Sequence, residues 1–163
     1  MGSSMSRLGK ILLTGLILAP LALSEEIMFR GVPQVLLSRW FGRAVTLVVM
    51  SGLFALAHIA NPGVSSLALS NIALAGVFLG AAFYLPGGIW TAFGAHLAWN
   101  ATLAAADAPV SGLPFTIPWI SWRPGEPTWL TGGAFGPEGG VVATVAVAIA
   151  LGWIVRRIRR EAA

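Results

Sequence analysis

The chain has 163 residues, of which 56% are hydrophobic and only 10% are charged. A soluble globular domain carries about 25% charged residues, so this composition excludes an ordinary soluble domain. The formal net charge of +4 does not indicate nucleic-acid binding, because four of the ten basic residues lie together in Arg156–Arg160, directly after an apolar run. Such a cluster is typical of the cytoplasmic flank of a membrane helix, and it also suits anionic lipid head groups.

The absence of cysteine excludes disulfides, thiolate nucleophiles and zinc sites built from cysteine. Residues 1–6 look like an added leader ahead of a second start, so residues 7–163 are treated as a single transmembrane domain. Arg7 and Lys10, followed by an apolar run, also resemble a signal peptide. The polar stretch Ser24–Arg30 follows too closely for that interpretation to be preferred.

The first predicted helix covers residues 8–37. Pro20 should bend it, and Gly31 with Pro33 should bend or break it near its end. Thirty helical residues span about 45 Å, which exceeds the roughly 30 Å hydrocarbon core of a bilayer. This helix must therefore tilt, kink or run along the interface. Residues 38–43, which are basic and aromatic and include a glycine, predict an interfacial turn.

Apolar runs between turn signals predict about five helical segments and no strands. Asn61-Pro62-Gly63 ends the second segment, and Pro86-Gly87-Gly88 separates the third from the fourth. The third contains Gly76 and Gly80, a spacing that favours close packing against another helix. The fold class is therefore all-α, a polytopic transmembrane helix bundle, with helices expected over residues 8–37, 44–60, 65–85, 89–106 and 141–155.

A long irregular segment, residues 107–140, precedes the last helix and is rich in proline, glycine and tryptophan. Loops of this length are usually functional or disordered. Trp119, Trp122 and Trp129 favour an interfacial belt or a lid over disorder. The glycines do not form a phosphate-binding loop, because no strand precedes them and no Lys-Ser/Thr follows. We expect this segment to cover a cavity or to recognise a substrate.

A charged stretch, Ser24–Arg30, follows an apolar run that carries no charge. Ionisable residues at membrane depth are rare, face a protein interior or a water-filled cavity, and indicate function. Glu26 and Arg30 are four residues apart and can pair on one helix face. Glu25 is rotated by about 100° from Glu26. We expect a structural ion pair between Glu26 and Arg30, and a chemical role for Glu25.

Later helices carry the remaining polar residues. His96 and Asn100 share one helix face, and Phe54 shares a face with His58, so its ring should pack beside the imidazole. Asn71 is expected to hydrogen-bond to another helix. A lone intramembrane histidine usually joins helices, but two histidines, an asparagine and a pair of glutamates favour a polar site.

Three motifs thus lie in order on successive predicted helices: Glu25-Glu26-x-x-x-Arg30, Phe54-x-x-x-His58 and His96-x-x-x-Asn100. Together they resemble the CPBP family of intramembrane proteases, also called CAAX-protease/bacteriocin-processing or Abi. That family includes the Rce1-type CAAX endopeptidases. The motifs span close to half of the chain. The resemblance implies an intramembrane endopeptidase of the glutamic type.

The resemblance also implies a role for each matched residue. Glu25 is expected to act as the general base, with His58, on a water molecule. His96 and Asn100 are expected to donate hydrogen bonds to the oxyanion of the tetrahedral intermediate. Peptide hydrolysis needs such an activated water and fixed donors aimed at the developing negative charge. Glu26, Arg30 and Phe54 are expected to support the site.

A zinc site is the alternative mechanism. Glu25, His58 and His96 form a His₂Glu set, a known catalytic zinc ligation, and Glu26 would then be the base. The residues lack the HExxH helix signature, and Asn100 would have no ligand role. Hydrolysis without a metal is therefore favoured, with zinc kept as the alternative.

The expected partners are a membrane-associated peptide or protein substrate and the lipid bilayer, and no nucleic acid. Candidate substrates are prenylated CAAX tails, bacteriocin leaders and C-terminal anchor segments. The composition favours a bacterial source, and hence the inner membrane. With five crossings and cytoplasmic C-terminal arginines, Arg39 and Arg43 would be cytoplasmic, and Arg7 and Lys10 outside. A non-enzymatic proton pathway or scaffold is the other interpretation, because intramembrane Glu and His also build proton relays.

Overall fold

The computed structural model describes residues 6–115 and 122–161. These residues form helices, and within them the only β-type pairing is an isolated bridge between Val110 and Leu113. The predicted all-α class is confirmed. The helices are α1 (Arg7–Arg30), α2 (Val32–Ala57), α3 (Ser66–Ala82), α4 (Ile89–Ala105), α5 (Thr128–Thr131) and α6 (Val141–Glu161).

The chain breaks between α1 and α2 at Gly31, so the break expected from Gly31 and Pro33 is confirmed, whereas the extension of one helix to residue 37 is wrong because α1 ends at Arg30. The backbone N–H of Gly31 closes α1 by donating to the carbonyls of Glu26 and Ile27, at 3.0 and 3.1 Å. A Cβ at this position would overlap the Ile27 carbonyl oxygen, so only glycine fits. Pro33 then lies in the first turn of α2, where its missing N–H costs no hydrogen bond.

The interfacial turn predicted over residues 38–43 is also wrong in its extent. The chain stays helical on both sides of a kink at Gly42, where φ is 77° and ψ is 163°. Glycine reaches this positive φ without the steric cost that a side chain brings. Thr46 follows the kink, and its hydroxyl donates to the Gly42 carbonyl at 2.9 Å.

The last helix is longer than predicted. It was expected to end at residue 155, but α6 continues to Glu161, so the Arg156–Arg160 cluster lies on the helix and not after it. Arginine is a good helix former, and positive charge near a helix C-terminus is favoured by the helix dipole. The ends of α3 and α4 differ from their predicted ends by at most three residues.

Helix α3 packs against α2, α4 and α6. Its Gly76 and Gly80 face α2, as their spacing indicated. A Cβ on Gly76 would lie 2.9 Å from Cα of Ser51, and one on Gly80 would lie 2.6 Å from a methyl group of Leu47. Glycine at both positions therefore lets the two helix backbones approach closely.

Two helical stretches are long and apolar enough to cross a membrane: Leu8–Ala57, which includes the breaks described above, and Val141–Arg160. Ser66–Ala82 is apolar but shorter. Large apolar side chains cover the outward faces of these helices; Leu16, Val48 and Ile149 are 72%, 70% and 69% exposed. An apolar surface of this extent is suited to contact with lipid.

Residues 107–115 and 122–140, here called the cap, fold back over one end of the bundle. They are irregular for most of their length but include α5 and two 3₁₀ turns, Gly133–Phe135 and Pro137–Gly139. The two parts of the cap meet where the Gly112 N–H donates to the Phe135 carbonyl at 3.0 Å. Trp122 packs on the core and Trp129 is exposed, whereas Trp119 lies outside the described residues.

Candidate active site

A cavity of about 650 Å³ lies between the helices and the cap. Most of its wall is apolar and includes Leu18, Leu21, Phe29, Ile72 and Val147. The four predicted catalytic residues also line it, although they come from two different helices, α1 and α4, and from the turn after α2: Glu25, His58, His96 and Asn100.

The carboxylate of Glu25 is the point on which the two imidazoles converge. Its Oε2 lies 3.9 Å from Nε2 of His58 and 3.9 Å from Nε2 of His96. These distances exceed a direct hydrogen bond of about 2.7–3.2 Å. Oε2 is buried and has no hydrogen-bond partner among the described residues. A buried oxygen without a partner is costly, so the gap between these three atoms is suited to a water molecule.

His58 ends α2, and the helix backbone fixes the orientation of its ring. Its Nδ1 lies 2.8 Å from the carbonyl oxygen of Phe54, one turn earlier. A carbonyl can only accept a hydrogen bond, so Nδ1 carries the proton and Nε2 of the neutral ring presents a lone pair to the cavity. The Phe54 ring packs against this imidazole, with centroids 4.7 Å apart.

His96 is oriented by Glu26. Its Nδ1 lies 2.8 Å from Oε1 of Glu26, and the same oxygen accepts a hydrogen bond of 2.9 Å from Nη1 of Arg30. Glu26 and Arg30 are both fully buried. Arg30 also donates to the Gly76 carbonyl at 3.3 Å and lies 4.3 Å above the Phe54 ring. The ion pair thus holds His96 so that Nε2 faces Glu25.

Asn100 follows His96 by one turn of α4. It is 8% exposed and lines the cavity. Within residues 6–115 and 122–161 its carboxamide makes no hydrogen bond, so its N–H groups are available to a ligand. The Phe54 ring lies edge-on to His96, with centroids 6.2 Å apart, and fills the space behind both imidazoles.

The three donor groups do not match a zinc site in this conformation. Ligand atoms at about 2.0–2.1 Å from a tetrahedral zinc lie about 3.3 Å from one another, whereas the Glu25–His58 and Glu25–His96 distances are 3.9 Å. Among the described residues no group of three or more His, Cys, Asp or Glu side chains is placed to hold a metal ion. Glu26, the base in the zinc mechanism, is fully buried and bound to Arg30 and His96.

Sequence reasoning missed a second buried carboxylate, Glu138, which also lines the cavity. Its Oε1 accepts from the indole N–H of Trp99 at 2.9 Å, and its Oε2 accepts from the backbone N–H and the hydroxyl of Ser111. Burial raises the pKa of Glu138, while these hydrogen bonds and the nearby His96 act in the opposite direction. Neither spacing nor composition connects these residues, so no sequence signal could have identified the cluster.

Asn71 joins α3 to the cap and to α6. Its Nδ2 donates to the carbonyls of Glu138 and Gly140 at 2.7 and 2.9 Å, and its Oδ1 accepts from the Thr144 hydroxyl at 2.6 Å. The residue therefore makes the hydrogen bonds to another helix that were expected of it, and it also lines the cavity.

A family model described as type II CAAX prenyl endopeptidase Rce1-like matches residues 7–102. The match covers more than half of the chain and includes all three motifs. No curated protein and no solved structure shows significant similarity to the chain. Together with the long apolar helices, the match identifies an integral membrane protein. The chain belongs to the Rce1-like family of type II CAAX prenyl endopeptidases, a family of peptide hydrolases.

Proposed function

We propose that the chain is an intramembrane endopeptidase that hydrolyses a peptide bond with a water molecule activated by Glu25. The observation that carries this proposal is the placement of Glu25 Oε2, buried and without a partner among the described residues, 3.9 Å from Nε2 of both His58 and His96. One water molecule in this gap can hydrogen-bond to the carboxylate and to an imidazole.

Glu25 takes the proton of this water as it attacks the substrate carbonyl. The neutral ring of His58 accepts at Nε2, because its Nδ1–H is held by the Phe54 carbonyl. His58 can therefore orient the water and share its proton with Glu25. The proton then passes to the amide nitrogen, and the tetrahedral intermediate collapses with cleavage of the C–N bond, which releases one product with a new carboxyl group and one with a new amino group.

His96 and Asn100 stabilise the oxyanion. Asn100 donates from its carboxamide without ionising. In this mechanism His96 donates from Nε2 while the Glu26 carboxylate holds its Nδ1 at 2.8 Å. Both donors lie on the same face of α4, so the helix holds them in fixed relation before substrate binds.

The substrate is a peptide segment of a membrane-associated protein. The cavity wall is largely apolar, so it favours apolar side chains around the scissile bond. Prenylated CAAX tails, bacteriocin leaders and C-terminal anchor segments are the candidate substrates. We place the protein in a bacterial inner membrane, with the helices forming a polytopic bundle.

The Glu25→Gln substitution tests the general base. Glutamine keeps the size of the side chain but cannot accept the proton, so we expect cleavage of a reporter peptide to fall by a factor of about 10² or more. The measurement is kcat/KM in proteoliposomes. Glu126→Gln is the matched control, because Glu126 is an exposed carboxylate on the cap. Full cleavage by the folded Glu25→Gln protein would exclude the mechanism.

Metal analysis tests the zinc alternative. We expect the purified, active protein to contain far less than one zinc ion per chain, and its activity to survive a strong chelator. The measurement pairs elemental analysis with cleavage before and after dialysis. Zinc bound at one ion per chain, with activity lost on its removal and restored on its return, would replace the metal-free mechanism.

A further inference from the structure

Glu138 is a buried carboxylate that the proposed reaction does not use. It is 7% exposed, and both of its oxygens accept hydrogen bonds. It lies on the cap, beyond the residues 7–102 that match the family. Burying a carboxylate costs folding free energy unless its contacts compensate for the lost hydration.

On one side, Glu138 holds α4. Its partner Trp99 lies between His96 and Asn100 in the sequence, immediately before Asn100. The indole N–H donates to Glu138 at 2.9 Å, and the indole also packs against the apolar cluster beside the cavity. The bond therefore limits rotation of the α4 turn that carries both oxyanion donors.

On the other side, Glu138 holds the cap. Ser111 has a φ of 49°, which is unusual for a residue other than glycine, and Glu138 accepts from both its N–H and its hydroxyl. Val110 and Leu113, on either side of Ser111, line the cavity. The carboxylate thus fixes the conformation of a cavity wall.

Two further bonds connect this wall to the rest of the site. Asn61, three residues after His58, donates from its side chain to the Ser111 carbonyl at 2.9 Å. Asn71 donates to the backbone carbonyl of Glu138 at 2.7 Å. The cap is therefore tied to α3, to α4 and to the turn after α2 that begins at His58.

We propose that Glu138 is a positioning residue, which couples the cap wall at Val110–Leu113 to the oxyanion donors on α4. The inference rests on the proposed function. It adds that Glu138 acts through Trp99 and Ser111 and does not touch the reacting atoms. Since the donors are needed most in the transition state, disturbing the link lowers kcat more than it raises KM.

Two substitutions test the link from its two ends. Glu138→Gln keeps the volume but replaces one acceptor with an amide that cannot accept from the Ser111 N–H. Trp99→Phe removes the indole donor and keeps a smaller aromatic ring in the apolar cluster. We expect each to lower kcat by roughly ten- to a hundred-fold with KM within about three-fold, since small misplacements of catalytic groups cost up to about 10² in rate. Glu126→Gln, on the same cap, should leave both constants unchanged.

The double substitution separates coupling from general damage. Because each single change breaks the same connection, we expect the Glu138→Gln/Trp99→Phe protein to lose little more than either single variant. Losses that multiply, or single variants with unchanged kcat, would overturn the proposal. If Glu138→Gln does not fold, Trp99→Phe decides the question by the kcat criterion, because Ser111→Ala would leave the backbone N–H bond to Glu138 intact.

The Glu25→Gln variant distinguishes a failure of the positioning role from a failure of the proposed function. If Glu25→Gln abolishes cleavage while the Glu138 and Trp99 variants behave as the parent protein, only the positioning role fails. If Glu25→Gln leaves cleavage intact, the catalytic mechanism itself fails. Binding of an uncleaved peptide should be close to unchanged in all of these variants, which separates loss of alignment from loss of the cavity.

Discussion

Each imidazole in the cavity has one nitrogen held by the protein and one directed at Glu25. The two rings are held differently, His58 by a neutral backbone carbonyl and His96 by the Glu26 carboxylate. The proposed mechanism gives His58 an accepting role and His96 a donating role, and the partner at each Nδ1 fixes the orientation of its ring. Arg30 completes the arrangement by pairing with Glu26.

The pH dependence of stability should report on Glu138. Burial raises its pKa above the ordinary value of 4.5, so the folded chain holds this proton more tightly than the unfolded chain does. The stability it contributes is then complete below that value and is lost as the pH rises through the raised pKa. His96 is the titratable group that faces it.

The measurement is the midpoint of thermal unfolding in detergent across acidic and neutral pH, for the parent chain and for Glu138→Gln. We expect the parent's midpoint, relative to the variant's, to fall as the pH rises. A relative midpoint that stays constant or rises would show that the carboxylate binds its proton no more tightly in the folded state.

The residues that could be predicted are those linked within one helix. Helix geometry places positions four apart on one face, so the pairing of Glu26 with Arg30 and of Phe54 with His58 followed from spacing alone. The bond from His96 to Glu26 spans 70 residues, and it depends on how α4 packs against α1. No local pattern encodes such a contact.

At the scale of helices, glycine determines both where the chain bends and where it packs. Gly31 and Gly42 interrupt the 50-residue stretch Leu8–Ala57, and Gly76 and Gly80 let α2 pack closely against α3. The breaks were only partly predictable, because helix-breaking residues mark candidate sites but tertiary contacts choose among them. Pro20, also a candidate, lies inside α1 without ending it.

Gly76→Ala should destabilise the bundle. The added methyl group would lie 2.9 Å from Cα of Ser51, a backbone atom that cannot move alone, so we expect a cost of about 1–3 kcal/mol. Gly52→Ala is the matched control, since nothing lies within 4 Å of its Cβ position and alanine is the better helix former.

Unfolding midpoints in detergent compare the two proteins. The packing explanation requires the Gly76 variant to unfold at a lower temperature than the parent and the Gly52 variant to match or exceed it. Equal midpoints for the two variants would mean that the α2–α3 interface accommodates the added methyl group without cost.

At the scale of the molecule, the bundle has two chemically different ends. At one end Arg43 lies 4.7 Å above the Tyr84 ring, and Ile158, inside the arginine cluster of α6, packs near the end of α3. At the other end the cap covers the cavity and Leu18 packs against Leu103. The positive-inside rule assigns the arginine-rich end to the cytoplasm and the cap to the outside.

Single cysteines can test this orientation, because the chain has none of its own. We expect a membrane-impermeant maleimide to label a Gly125→Cys variant, on the cap, in intact cells. An Ala44→Cys variant, next to the Gly42 kink, should react only after the cells are opened. The parent chain controls for background labelling, and the reverse pattern would invert the assigned topology.

The run from α1 into the first half of α2 also sets the distance of Glu25 from the membrane surface. Arg30 and Gln34 bond to the carbonyls of Gly76 and Gly80, so the chain follows α3 without turning across Gly31. Trp40, which is 72% exposed just before the kink, is a side chain of the type that settles among lipid head groups. Fifteen residues separate it from Glu25, about 22 Å of helix, in a hydrocarbon layer about 30 Å thick. On the proposed mechanism we therefore expect cleavage in the shallow part of the opposite leaflet, where a peptide need unwind only its last turns and water has a short way to travel.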